Sequence, residues 1–184
     1  ERDFQALNTS EPPARVTAFT AAVEDATRAL RWASDNAATY CIDPQRFGVW
    51  GSSAGAFTVL HLAYSLDEYA IPRPPVRVAV DYWGGLFRPA DIDPVEPPLF
   101  VLHGTADSTV LYQRALDLTQ RATAAGVPFT LYSIIGGEHD FNGSGFFVLT
   151  VDGQSLAAKT AIFVEAHLKP GGRLVGISGQ APVM

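Results

Sequence analysis

Three stretches of the sequence hold side-chain types that together can do nucleophilic chemistry. Gly51-Ser52-Ser53-Ala54-Gly55 sets a serine between glycines two positions to either side. Where a strand turns sharply into a helix, that spacing lets the Ser53 hydroxyl project above the sheet, because side chains at 51 and 55 would crowd a strained turn. Ser52 stands one place too early for both glycines, so Ser53 is the expected nucleophile. The helix that follows would aim its first amides and its positive dipole end at a reacting carbonyl, which makes the Ala54 N–H the expected oxyanion donor.

A serine hydroxyl is a weak nucleophile near neutral pH and needs a base that is itself oriented by a carboxylate. His103-Gly104-Thr105-Ala106-Asp107 and Gly136-Gly137-Glu138-His139-Asp140 supply these groups in the chain order serine, acid, histidine. Asp107 is the expected acid and His139 the expected base. Three other readings compete: Asp107 as a cap of the helix near Val110, His139 as an ordinary loop histidine, and Asp81 as a displaced acid at the end of another strand. His103 precedes the acid and reads as a structural residue satisfying backbone groups. Glu138 and Asp140 flank His139 too closely to orient its ring and read as tuning local charge. Trp83, Phe87, Phe141, Phe146 and Phe147 fall in loops at the same edge, where they line an acyl pocket or pack a core or lid. His61 and His167 fall in helical patterns as packing or surface residues.

The elements that must position these groups follow from periodicity. Ser10-Glu11-Pro12-Pro13 starts a helix, and Val16, Phe19, Val23, Ala26, Leu30 and Ala33 recur at spacings of three and four, predicting one helix to about Tyr40. Arg46 to Trp50 is a short apolar strand, and Ala56 to Leu66 is helical again. Val76 to Trp83 and Leu99 to Leu102 are strands, the second continuous enough to be buried on both faces. Val110 to Ala125 is a helix stopped by Gly126, Pro128 to Ile135 a strand, and about Ser155 to Leu168 the last helix. The tail, 171–184, is Gly-rich without clear period and reads as irregular. Strands alternating with helices imply an α/β class: a mostly parallel sheet covered by helices on both faces, in a single domain spanning 1–184.

Composition excludes several functions. The chain has 184 residues, 47% hydrophobic and 17% charged, with a net charge of −6 and a pI near 5.1. The acidic balance and the lack of a basic stripe argue against nucleic-acid binding. No apolar run reaches the roughly 20 residues that span a bilayer, so a soluble protein is expected, of unassigned compartment. The single cysteine, Cys41, cannot form an intrachain disulfide and reads as a small buried thiol. The histidines show no metal-ligand spacing, and neither metal nor cofactor is expected.

Val23-Glu24-Asp25-Ala26 through Arg31-Trp32, Ile42-Asp43-Pro44-Gln45-Arg46, the 51–55 motif, and the loops around Asp107 and His139 resemble the α/β-hydrolase esterases related to hormone-sensitive lipase and to bacterial carboxylesterases and xylan-side-chain esterases. The resemblance runs over about residues 16 to 168. It implies an α/β-hydrolase fold, cofactor-free hydrolysis of small-molecule esters through an acyl-enzyme, and a catalytic set of Ser53, Asp107 and His139. A serine peptidase of the prolyl-oligopeptidase type and a non-catalytic hydrolase-like binding module are the alternatives. The family carries a His-Gly-Gly loop before the serine that completes the oxyanion hole, and no such sequence precedes Ser53. The family's N-terminal strands are likewise missing from this chain, which supplies about four strands. The expectation is an unpaired edge at Arg46 to Trp50, covered by an N-terminal half present as a separate chain or by a second copy in a homodimer.

Overall fold

The structure, a computed structural model, describes residues 11–143, 148–169 and 179–183. Helix α1, Pro13–Asp35, opens with proline in its first turn and buries Val16, Thr20, Val23, Glu24 and Thr27. The helix predicted to run on to Tyr40 breaks at Asn36, whose side-chain amide donates to the Trp32 carbonyl. A short helix α2, Ala37–Tyr40, follows and ends in Cys41 with φ of 56°. Cys41 is therefore exposed and not the buried thiol expected, because the left-handed residue that ends a helix turns the chain back toward solvent.

Strand β1, Phe47–Ser52, leads directly into helix α3, Ala54–Tyr64. Strands β2, Val76–Tyr82, and β3, Leu99–Gly104, come next, then helix α4, Gln113–Ala125, and strand β4, Phe129–Ile134. A two-strand antiparallel hairpin, β5 (Thr150–Val151) and β6 (Gln154–Ser155), precedes helix α5, Leu156–Leu168. The Ser155 hydroxyl caps α5 by accepting from the Ala158 N–H at 3.1 Å. The tail read as irregular contributes strand β7, Gly179–Val183. A Gly-rich stretch lacks an apolar period, yet its backbone groups still pair along β4. Residues 171–178 lie outside the described residues.

The main sheet has the order β1-β2-β3-β4-β7 with every neighbouring pair parallel, five strands among the described residues and not about four. On one face, Val23 of α1, Leu60 of α3 and Leu118 of α4 join Ala79, Leu99, Val101 and Leu131 in the larger apolar core. On the other, Phe163 and Val164 of α5 pack on Val80, Tyr82, Phe100, Leu102 and Tyr132. Burial from both sides explains why β3 is apolar along almost its whole length. β1 lies at the end of the sheet and alternates half-buried with exposed residues, with Trp50 62% exposed. No helix among the described residues is long and apolar enough to cross a membrane.

Candidate active site

The turn from β1 into α3 bends where the glycine spacing predicts. Ser53 has φ of 51° and ψ of −122°, a strained conformation for a residue with a Cβ. Its N–H donates to the Tyr82 carbonyl at 2.9 Å, and its own carbonyl accepts from Ala56 N at 3.0 Å, which clamps the turn between β2 and α3. A Cβ on Gly51 would collide with the Gly55 carbonyl, so only glycine fits there. Gly55 is a different matter: a Cβ there would meet nothing within 4 Å, and the crowding expected at both glycines exists only at Gly51. The backbone of Gly55, not its missing side chain, is what Gly51 makes room for.

Ser53 Oγ lies 2.9 Å from His139 Nε2, and His139 Nδ1 lies 2.8 Å from Asp107 Oδ2. An ionised carboxylate only accepts, so Nδ1 carries the hydrogen and Nε2 is free to accept the serine proton. The remaining oxygen of Asp107 accepts from the Thr109 and Val110 N–H groups at 2.9 and 2.8 Å. The two readings of Asp107, turn cap and orienting acid, thus describe its two oxygens. The cap serves the turn before α4, which begins only at Gln113.

Loops after β3 and β4 hold the acid and the histidine together. Thr105 N donates to Ile134 O at 2.9 Å, Ala106 N to Gly137 O at 3.0 Å, and Gly136 N to Thr105 Oγ1 at 2.9 Å. Gly104 has no room for a Cβ, because the Gly137 carbonyl occupies the space. Glu138 Oε2 accepts from both the N–H and the hydroxyl of Ser108, at 3.1 and 3.0 Å, and so ties the two loops together beyond any effect on local charge.

His103 is fully buried, and its Nε2 donates to the Val110 carbonyl at 2.8 Å, the backbone role expected of it. The same nitrogen also lies 3.3 Å from Asp107 Oδ2, a link to the acid that spacing of four along an extended loop does not reveal. Burial lowers its pKa, so the ring is neutral. Asp81 is not a displaced acid: it is wholly buried, its Oδ1 accepts from Gly84 N at 2.9 Å, and desolvation pushes its pKa up to about 7. It holds the loop that begins at Trp83, which has φ of 41°. Trp83 stands edge-on to His139 at 6.3 Å and to Phe141 at 4.9 Å between ring centroids. His61 is buried in α3, its pKa lowered by desolvation to about 4, and accepts weakly from Phe87 N at 3.4 Å. His167 Nδ1 donates to the Phe163 carbonyl at 2.7 Å, the contact of a helix-packing residue. Phe87 lines a cavity beside Ser53, whereas Phe146 and Phe147 lie outside the described residues.

The Ala54 N–H is among the first amides of α3 and has no acceptor within the helix; Ala54 lines the same cavity as Ser53. Among the described residues no group of three or more His, Cys, Asp and Glu side chains is arranged to hold a metal ion.

Solved structures match this fold over most of the chain. MGS-M1, an alpha/beta hydrolase enzyme from a Medee basin deep-sea metagenome library, superposes with a TM-score of 0.63 at 22% identity, covering 79% of this chain and 64% of its own. The chain has the α/β-hydrolase fold. A truncated form of a carbohydrate esterase from gut microbiota gives 0.62 at 20% identity, with 80% and 68% covered. An acetyl ester-xyloside bifunctional hydrolase from Caldicellulosiruptor lactoaceticus gives 0.61 at 21%, with 80% and 66% covered. The chain spans about two thirds of the length of those it matches. The BD-FAE family model matches residues 2–73, which include the elbow. No curated protein matches the sequence.

Proposed function

We propose that this chain carries the catalytic groups of a serine esterase that hydrolyses carboxylic esters. The observation that carries the reading is the unbroken contact from Ser53 Oγ through His139 to Asp107, at 2.9 and 2.8 Å. Ser53 Oγ bonds to the ester carbonyl carbon as its proton passes to His139 Nε2, and the oxyanion that forms faces the Ala54 N–H. The carbon–alkoxy bond then breaks, and the alcohol departs with the proton from Nε2. Water gives a proton to the same nitrogen as it attacks the acyl carbon, and Ser53 leaves with that proton, so ester plus water become acid plus alcohol. Asp107 fixes the imidazole tautomer throughout.

Ester rather than amide substrates are supported by the fold's neighbours, among them an esterase of Thermogutta terrifontis phosphoramylated by tabun. The alternative of a prolyl-oligopeptidase-type peptidase is tested by comparing 4-nitrophenyl acetate with a peptide anilide: release from the acetate alone is expected, and cleavage of the anilide alone would overturn the ester reading.

The outer edge of β1 supports a second part of the proposal. The strand has one neighbour among the described residues, and Ser52, Ala54 and Gly55 are exposed beside it. A further polypeptide segment seated there, an N-terminal half or a second copy, supplies the second oxyanion donor; one such donor is worth about 10²- to 10³-fold in rate. This edge also favours a second reading, a hydrolase-like module that binds without turnover. Stoichiometric labelling of Ser53 by a fluorophosphonate separates the two.

A further inference from the structure

The cavity beside Ser53 carries an unusual charge. It encloses about 270 Å³ and is lined in part by Ser53, Ala54, Phe57, Phe87, Arg15 and Arg114. One wall is a set of three rings, with Phe19, Phe57 and Phe87 at centroid separations of 5.0 to 5.4 Å. Another carries two guanidiniums around one carboxylate: Arg114 Nη2 lies 2.8 Å from Glu11 Oε1, and Arg15 Nη1 lies 2.9 Å from Glu11 Oε2. Among the described residues, two cations to one anion leave positive charge in excess along this wall, in a chain whose net charge is −6. Arg114 lies over the Phe57 ring at 5.9 Å and gives Glu11 a single nitrogen, and among the described residues its Nε and Nη1 donors have no other acceptor.

The position of the cavity says which half of an ester it takes. The leaving alcohol receives its proton from His139 Nε2 and so stands on the His139 side of Ser53, near Trp83 and Phe141. None of those three lines the cavity, whereas Ser53 and Ala54 both do. The acyl group is the part left to enter it.

We propose that the cavity is a subsite for anionic acyl groups, an apolar chain or ring bearing a carboxylate that Arg114, with Arg15 behind it, takes by charge-assisted hydrogen bonds. A guanidinium suits that task because its planar fork matches a carboxylate. The three rings hold the apolar body, and the small volume limits the acyl group to fragment size. This subsite rests on the esterase reading above.

The test compares kcat/KM for the 4-nitrophenyl half-ester of adipic acid with that for 4-nitrophenyl hexanoate, after subtraction of the buffer rate. The expected ratio is about 10 in favour of the half-ester, the scale of one charge-assisted hydrogen bond. Arg114→Gln is expected to bring the ratio close to 1. Arg15→Gln, at a more exposed position, is expected to lower it by about 2- to 3-fold. A ratio at or below 1 in the unaltered protein, or one unmoved by Arg114→Gln, would overturn the subsite. Should neither ester turn over, the esterase reading fails, and adipate binding measured by calorimetry decides the subsite separately. Binding that Arg114→Gln abolishes would support it, and the absence of binding to the unaltered protein would sink it.

Discussion

β3 and β1 both lead into turns that carry a proposed catalytic group, Asp107 and Ser53, yet they are built differently. β3 lies between β2 and β4 and is buried at every residue, and its loop is laced to the histidine loop by four backbone and side-chain hydrogen bonds or more. β1 lies at the border of the sheet, with every second residue exposed. Asp107 and His139 are thus held by strands that are paired on both sides among the described residues. Ser53 depends on one strained turn, clamped from one side by β2 and α3.

Breaking the doubly paired part costs activity more than stability. His139→Ala is expected to lower kcat on an activated ester by about 10⁴-fold or more, and Asp107→Asn by about 10³- to 10⁴-fold, because an amide in place of the carboxylate lets the imidazole take the wrong tautomer. Steady-state rates on 4-nitrophenyl acetate check both. A fall of less than tenfold in either would mean that the contact to Ser53 does not carry the chemistry.

The border part breaks through its backbone. Gly51→Ala drives a methyl group into the Gly55 carbonyl and is expected to destabilise by about 3 kcal/mol or more. Gly55→Ala meets open space and is expected to stay within about 0.5 kcal/mol of the unaltered protein. Urea unfolding of the two variants side by side sharpens the contrast, and equal losses would contradict it.

A smaller effect distinguishes the supports beneath the two parts. Asp81, beside the elbow, has its pKa raised by burial from 3.8 to about 7 in the folded protein. The folded state therefore holds that proton more tightly, so the stability this adds is full below about pH 4 and is lost as pH rises through 7. His61, in α3, runs the other way: burial lowers its pKa from 6.5 to about 4, so the stability tied to its neutral ring is lost as pH falls from 6.5 through 4. The two oppose each other over the same window. Asp81→Asn removes the first contribution, so between about pH 4 and 6.5 its stability is expected to rise relative to that of the unaltered protein, by on the order of 1 to 3 kcal/mol. Unfolding free energies at pH 4 and 6.5 check the sign, and a parallel pH dependence in both proteins would refute it.

The sequence made legible whatever depends on local pattern. The glycine at 51 announces the turn from strand to helix because a steric collision leaves no other choice, the run at Val76 announces a strand, and the run at Leu99 a strand buried on both faces. What depends on distant chain was hidden. The tie of Glu138 to Ser108 arises only when β3 and β4 lie side by side, and the contact of His103 with Asp107 only when the loop after β3 curls back on itself. β7 was missed because a Gly-rich tail has no side-chain period, although its backbone pairs with β4. Cys41 read as buried from its apolar type, but the left-handed turn after α2 sets it outward. The charged wall of the cavity joins α1 to α4, a hundred residues apart, and no spacing foretold it.

The central claim is that Ser53 is activated by His139. Labelling with a fluorophosphonate, with the adduct located by peptide mass mapping, tests it most directly. One adduct is expected, on Ser53, forming far more slowly in His139→Ala and not at all in Ser53→Ala. An adduct on another residue, or labelling of Ser53 at an equal rate without the imidazole, would contradict it.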